Sequence, residues 1–200
     1  GKGFRYPTIR EMYMFPPQNP DLRPEKLMNY ELSFTQRLRG GALGYGASVY
    51  YIDGDNMIRT VPVDGRMMNV NTGRIENWGV EGDVSYRLNA VWAISANYSY
   101  LHMRYPVVAA PEHKLYAGAD FTRGRWRAST GVQYVRGLCT SVQPLLTDDF
   151  VLWDADVTFR AARRLELFVR GENLLAQRYE INAGFPMPRA TVLGGVNMNF

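Results

Sequence analysis

One cysteine and two histidines in 200 residues are few, and each shortage excludes a chemistry. Cys139 stands alone, so the chain forms no internal disulfide and no cysteine-built metal cage; an unpaired loop thiol is its plain reading. Long hydrophobic runs are lacking too. No stretch approaches the roughly 18 apolar residues of a spanning helix, and mean hydropathy is only -0.28 although 46% of residues are hydrophobic. No charged-then-apolar segment opens the chain as a signal peptide would, so a targeting sequence, if the protein is exported, has been removed or lies upstream. Basic runs are missing as well. The net charge is +4, but Lys and Arg are spread over many segments, which argues against a nucleic-acid partner.

What the chain has instead is aromatics, glycine and alternation. Thirteen Tyr, nine Phe, four Trp and nineteen Gly favour strands and tight turns. Nine segments alternate with period two: 28–38, 43–52, 75–88, 91–103, 113–122, 126–138, 150–160, 164–172 and 190–200. Most run to ten residues or more, the length a tilted strand needs to cross a bilayer. Trp78, Val80, Gly82, Val84, Tyr86 and Leu88 share one side of a strand whose other side holds Asn77, Glu81, Asp83, Ser85 and Arg87. Val151, Trp153, Ala155, Val157 and Phe159 oppose Asp154, Asp156, Thr158 and Arg160 in the same way.

A soluble sheet would bury its apolar faces under a second layer, and no helical segment is there to supply one; a second sheet is the competing explanation. Against it, aromatics gather near strand ends at Tyr30, Trp78, Tyr86, Trp92, Tyr98, Tyr100, Trp126 and Tyr134, as in interfacial girdles. Short connections at 39–42, 89–90, 123–125 and 161–163 alternate with long ones at 53–74, 104–112, 139–149 and 173–189. That alternation predicts short periplasmic turns and long extracellular loops, hence an all-β, antiparallel transmembrane β-barrel. The last strand fits: Phe200, Met198, Val196, Gly194, Val192 and Ala190 share its greasy face. Val192, Val196, Met198 and Phe200 resemble the C-terminal signal by which outer-membrane barrels engage the barrel-assembly machinery.

Six motifs in order then point to a family. Gly3-Phe4-Arg5-Tyr6-Pro7-Thr8-Ile9-Arg10-Glu11, with Asn19-Pro20-Asp21-Leu22-Arg23-Pro24-Glu25 and Asn29-Tyr30-Glu31, resembles the opening "GFRAPT...E, NP.L.PE....YE" stretch of TonB-dependent receptors. Gly73, Ile75, Asn77, Gly79, Val80 and Glu81 are similar to the family's "N.G...N.GVE" strand, and Pro111 with His113 to its "P.H" strand start. Glu172-Asn173-Leu174-Leu175 with Tyr179 resembles "ENL....Y"; Gly184-Phe185-Pro186-Met187-Pro188-Arg189 is like "GYPMPGR" without its second glycine.

The resemblance implies an outer-membrane receptor with a barrel of about 22 strands, filled by an N-terminal plug and importing a scarce ligand with energy relayed by TonB. On that reading these residues are about the last nine strands, the C-terminal part of the barrel: 1–27 an extracellular loop region, 28–200 transmembrane strands and loops. The plug and the segment that contacts TonB are not among them. The implied partners are the TonB complex through the plug, the assembly machinery, the lipid bilayer and a small-molecule chelate, with a ferric siderophore first and cobalamin, haem, saccharide or another metal as alternatives. A small passive barrel, a porin or structural protein, is the competing class.

Candidate ligand contacts in the loops are Arg5, Tyr13, Asp55, Arg59, Arg66, Arg104, Tyr105, Arg178, Tyr179 and Glu180, because guanidinium pairs with carboxylate or catecholate while phenol stacks and donates. Phe4-Arg5-Tyr6-Pro7 and Asn19-Pro20-Asp21-Leu22 also resemble the paired boxes of haem receptors, but no histidine lies between them; Met12, Tyr13 and Met14 do. The pairs Met12/Met14 and Met67/Met68, with Met57, invite a soft metal, yet without Cys or His beside them they read as apolar filler. His102 reads as a girdle residue and His113 as structural. No metal site, cofactor or catalytic residue is expected. Asp154/Asp156 and Glu81/Asp83 mimic carboxylate dyads, as any charged lumen does, and no Ser/His/Asp or Asp/His arrangement accompanies them to support an outer-membrane enzyme.

Overall fold

The computed structural model describes residues 1–14 and 17–198. The chain is almost wholly antiparallel strand. In order the strands are β1 Lys2–Arg5, β2 Glu25–Leu38, β3 Leu43–Val63, β4 Arg66–Arg87, β5 Trp92–Met103, β6 His113–Arg123, β7 Trp126–Val142, β8 Leu145–Ala162, β9 Leu165–Glu172, β10 Glu180–Asn182, β11 Phe185–Pro186 and β12 Thr191–Met198. Ten of them form one sheet, ordered β1-β2-β3-β4-β5-β6-β7-β8-β9-β12, which does not close on itself; β10 and β11 make a separate two-stranded hairpin. No described helix is long and apolar enough to cross a membrane, which says nothing of spanning strands.

Each of the nine alternating segments carries a strand, and β1 adds a tenth inside the stretch 1–27 expected to be loop, paired with β2 from Lys2 opposite Met28 to Arg5 opposite Glu25. Two further expectations are corrected. The stretch 53–74 is no loop but the far ends of β3 and β4, joined at Asp64-Gly65, both with positive φ as a tight two-residue hairpin requires. The stretch 139–149 is likewise the end of the β7–β8 hairpin, which turns at the cis Gln143-Pro144 bond. In both cases backbone pairing continues past residues that look like strand breakers.

The chain divides into two compact units. One comprises 1–32, 49–79 and 102–105; the other comprises 33–48, 80–101 and 106–200. In the first, backbone bonding is supplemented by asparagine. Asn71 donates to the carbonyls of Arg23 and Asn56 and accepts from the Arg23 amide at 2.7 Å, imitating a neighbouring strand beside Asn56, whose backbone takes positive φ. Gly73 lies so close to the β3 backbone that a Cβ there would come within 2.7 Å of the Met57 carbonyl oxygen.

The second unit shows an inverted surface. The register aligns Trp92 with Phe121, Ala128 with Phe121 and Val157, and Val169 with Val157 and Gly194, so one face is apolar from strand to strand. That face is exposed: Trp92, Ile94, Trp126, Val132, Trp153, Val157, Leu167, Val169, Val192 and Val196 all lie open. The opposite face carries Asp154, Asp156, Arg127, Glu166 and Arg170. Such an arrangement is untenable in water and natural in a bilayer. Rings bracket the apolar zone. Trp92 stacks near Phe121 and Trp126 near Phe159 at one end, with centroids 4.9 and 4.6 Å apart, and Tyr98 and Tyr100 meet His113 at the other. From Trp92 to Tyr100 the strand rises roughly 26 Å, or about 20 Å after a tilt of about 40°, close to the apolar band of an outer-membrane barrel.

The buried core is small and lies on the charged face. Val135, Leu138 and Phe150 are packed by Leu152 of β8 and by Tyr179 and Ile181, which the 173–189 loop brings back over β7 and β8. On the same face Tyr116 covers Gly118 and Gly131, so a Cβ at Gly131 would meet the ring at 2.6 Å.

Candidate functional site

In the first unit the opening motif folds into an ionic clasp. Glu25 is buried to 8% exposure at the start of β2 and accepts from Arg5 Nε and, at 2.9 Å, from the Ile58 amide. The other end of the Arg5 guanidinium reaches both oxygens of Glu11 at 2.9–3.0 Å. Thr8 and Glu11 bond reciprocally, the Thr8 amide and hydroxyl donating to Glu11 Oε2 and the Glu11 amide to Thr8 Oγ1, which starts the single π-type turn Arg10–Met14. Arg5 and the Thr8 donors hold the Glu11 carboxyl down to about 2. The same guanidinium lowers Glu25 in spite of its burial. Asn19 secures the second half of the motif, donating to the Asn69 carbonyl at 2.8 Å and accepting from the Asp21 amide. Arg5, read as a ligand contact, therefore has its donors engaged within the chain.

The other candidates of this unit are dispersed. Tyr13 is 46% exposed on the π-type turn. Asp55 pairs with Arg74 at 3.1 Å, Arg104 with Glu76 at 2.7 Å, and the Arg104 guanidinium lies 5.9 Å from the Tyr105 ring centre. Arg59 and Arg66 are exposed on β3 and β4, strands rather than loops.

The second unit brings three candidates together. Arg178, Tyr179 and Glu180 line a cavity of about 500 Å³ with Asp148, Met187 and Arg189. Asn173 builds the loop that forms it. Its backbone takes positive φ, its amide donates to Asp154 Oδ1 at 2.8 Å, and its side chain bonds the Gln177 amide and the carbonyls of Gln177 and Pro188. The Met187 amide then donates to the Tyr179 carbonyl, and the Glu180 amide to Asp148 Oδ2. Tyr179 packs on Phe150 with ring centroids 4.3 Å apart, and burial pushes its phenol above the ordinary tyrosine value, so it stays a protonated donor. Asp148, Met187 and Arg189 escaped the sequence reading. Met187 and Arg189 stand in a motif that carries only the family resemblance, and Asp148 in the 139–149 stretch that the sequence predicts as loop.

Of the two carboxylate pairs that mimic dyads, Asp154/Asp156 has structural partners: Asp154 accepts from the Asn173 amide and Asp156 from the Ser129 hydroxyl. Val192, Val196 and Met198 share the exposed apolar side of β12, while Phe200 lies outside the described residues.

An exposed apolar face opposite a charged one, on long antiparallel strands, defines the wall of a membrane β-barrel. The chain belongs to the TonB-dependent receptor-like β-barrel family, whose model matches residues 1–174. No curated protein sequence matches it. Among solved structures it is similar to the copper transporter OprC, at 22% identity over 100% of this chain and 36% of that one, with a TM-score of 0.75. It is similar also to the FrpB iron transporter from Neisseria meningitidis, at 16% identity over 90% of this chain and 32% of that one, TM-score 0.74. The siderophore receptor PiuA from Acinetobacter baumannii gives 16% identity over 88% of this chain and 28% of that one, TM-score 0.74. The chain thus spans about a third of the length of these relatives, and the likeness to them is one of fold.

Proposed function

We propose that these residues are the C-terminal wall and loops of an outer-membrane receptor that takes up a scarce chelate, a ferric siderophore first among them, by TonB-dependent transport. The observation that carries this reading is the inverted second unit within a family-matched chain: its apolar face is exposed and its small core sits under a loop on the charged face. An apolar band of that height calls for lipid, and a charged inner face with an inward-folded loop suits a water-filled path. Copper, iron and siderophores are carried or bound by the solved relatives, which supports a small metal chelate over a bulky polymer as cargo. In this reading residues 28–200 provide strands and loops, TonB acts through a plug outside these 200 residues, and β12 is offered to the assembly machinery.

The test is uptake by cells that lack their own siderophore receptors and carry the whole gene, with TonB present or deleted. Radioactive iron entering as a siderophore complex only with TonB supports the proposal. Entry of small solutes that ignores TonB would replace it with a passive barrel.

A further inference from the structure

We infer that the cavity beneath the 173–189 loop is a subsite for a planar oxyanion carried on an apolar or aromatic body, such as an aryl carboxylate arm; this rests on the receptor reading above. The lining is formally balanced, with Arg178 and Arg189 against Asp148 and Glu180, so net charge does not decide what enters. Hydrogen-bond commitments do. Asp148 accepts from the Glu180 amide at 2.8 Å with one oxygen and from the Asp149 amide at 2.9 Å with the other. Glu180 accepts from the Gly184 amide at 2.8 Å, closing the β10–β11 hairpin. Both acids thus spend acceptor capacity on backbone amides of the loop and of β8. Among the described residues Arg189 gives only its Nε, to the Ala176 carbonyl at 3.3 Å, which leaves its terminal nitrogens, and Arg178 in the lining is exposed.

The donors left over are guanidinium forks, the geometry that grips a carboxylate through two parallel bonds. Tyr179 adds a ring wall and a protonated phenol, and Met187 a polarizable one that fits against aromatic faces. The ring of Tyr179 is fixed by Phe150, so this wall is in place before any ligand arrives. About 500 Å³ is enough for one such arm and falls within the usual range for small-molecule sites.

The experiment uses the receptor expressed from its whole gene, purified in detergent, with salicylate as probe and benzamide as its uncharged counterpart, followed by ligand-detected NMR. Salicylate should bind, benzamide at least tenfold more weakly. Arg178→Gln with Arg189→Gln should weaken salicylate about tenfold, and Arg178→Lys should fall between, because it keeps the charge and loses the fork. Heat-modifiable gel mobility establishes that each variant is folded. Equal binding of salicylate and benzamide, or unchanged salicylate binding in the folded double variant, overturns the subsite. If the subsite fails while wild-type cells still import a ferric chelate through TonB, the receptor reading stands alone. If uptake never depends on TonB, that reading fails whatever salicylate does.

Discussion

The N-terminal clasp and the 173–189 loop both tie irregular chain to a sheet, and they do so by opposite means. The clasp is charge and hydrogen bond almost throughout: Arg5 between Glu11 and Glu25, with asparagines stitching the backbone. The loop is held by an apolar cluster on Phe150 and by one asparagine, Asn173, that satisfies backbone groups at both ends of the loop. A charged tie is oriented and reversible with pH; a packed one is insensitive to pH and limited by volume. The loop core joins parts of β7 and β8 that the alternation largely specifies, whereas the clasp fastens β1 and the outer part of β3, which it does not.

The contrast can be broken most strongly at Phe150. Replacing it with alanine should cost the loop about 3–5 kcal/mol and free it from β7 and β8, seen as protease cleavage within 173–189, while the clasp stays intact. Asn173→Ala should come next, about 2 kcal/mol, because several backbone groups lose their partner at once; faster amide exchange at Gln177 is the readout. Arg5→Met should loosen the other region by about 1–2 kcal/mol, a value kept low by the exposure of the guanidinium, with exchange at Ile58 rising as Glu25 is left unpaired. The smallest effect is the sharpest discriminator. Glu11 and Glu25 titrate below the ordinary 4.5 when folded, so their contribution is complete above that pH and is lost as pH falls toward about 2. Relative to the intrinsic exchange rate at each pH, amide protection should therefore be lost at Thr8 and Ile58 between pH 6 and pH 2 well before it is lost at Gln177.

Most of the sheet is legible because period two survives wherever one face is apolar and the other charged. It failed where the chain departs from that rule for local reasons. In β3, Gly54, Asp55, Asn56 and Pro62 read as breakers, and Asn56 does take positive φ inside the strand, although the Asp64-Gly65 pair that turns the hairpin is there to be read. In β7 two register shifts, after Val135 and after Cys139, erase the pattern over the stretch taken for loop. The loop core was hidden more deeply. Phe150 and Leu152 fall on the charged face of β8 by alternation, and only the returning Tyr179 and Ile181 make sense of them. For the site, the run Arg178-Tyr179-Glu180 was visible as loop chemistry, whereas its partners Asp148 and Arg189 come from separate segments that only the folded loop brings together.

The lone thiol has a practical consequence. Cys139 is 2% exposed, and its Sγ–H donates to the Ser141 carbonyl at 3.4 Å, so it is shielded from bulky aqueous reagents. Within these 200 residues, a cysteine placed at Arg178, Val192 or Asp64 would be the sole accessible site for a spin label or fluorophore. The fold carries a silent background on which the facing of each strand and the opening of each loop can be mapped in intact cells, one position at a time.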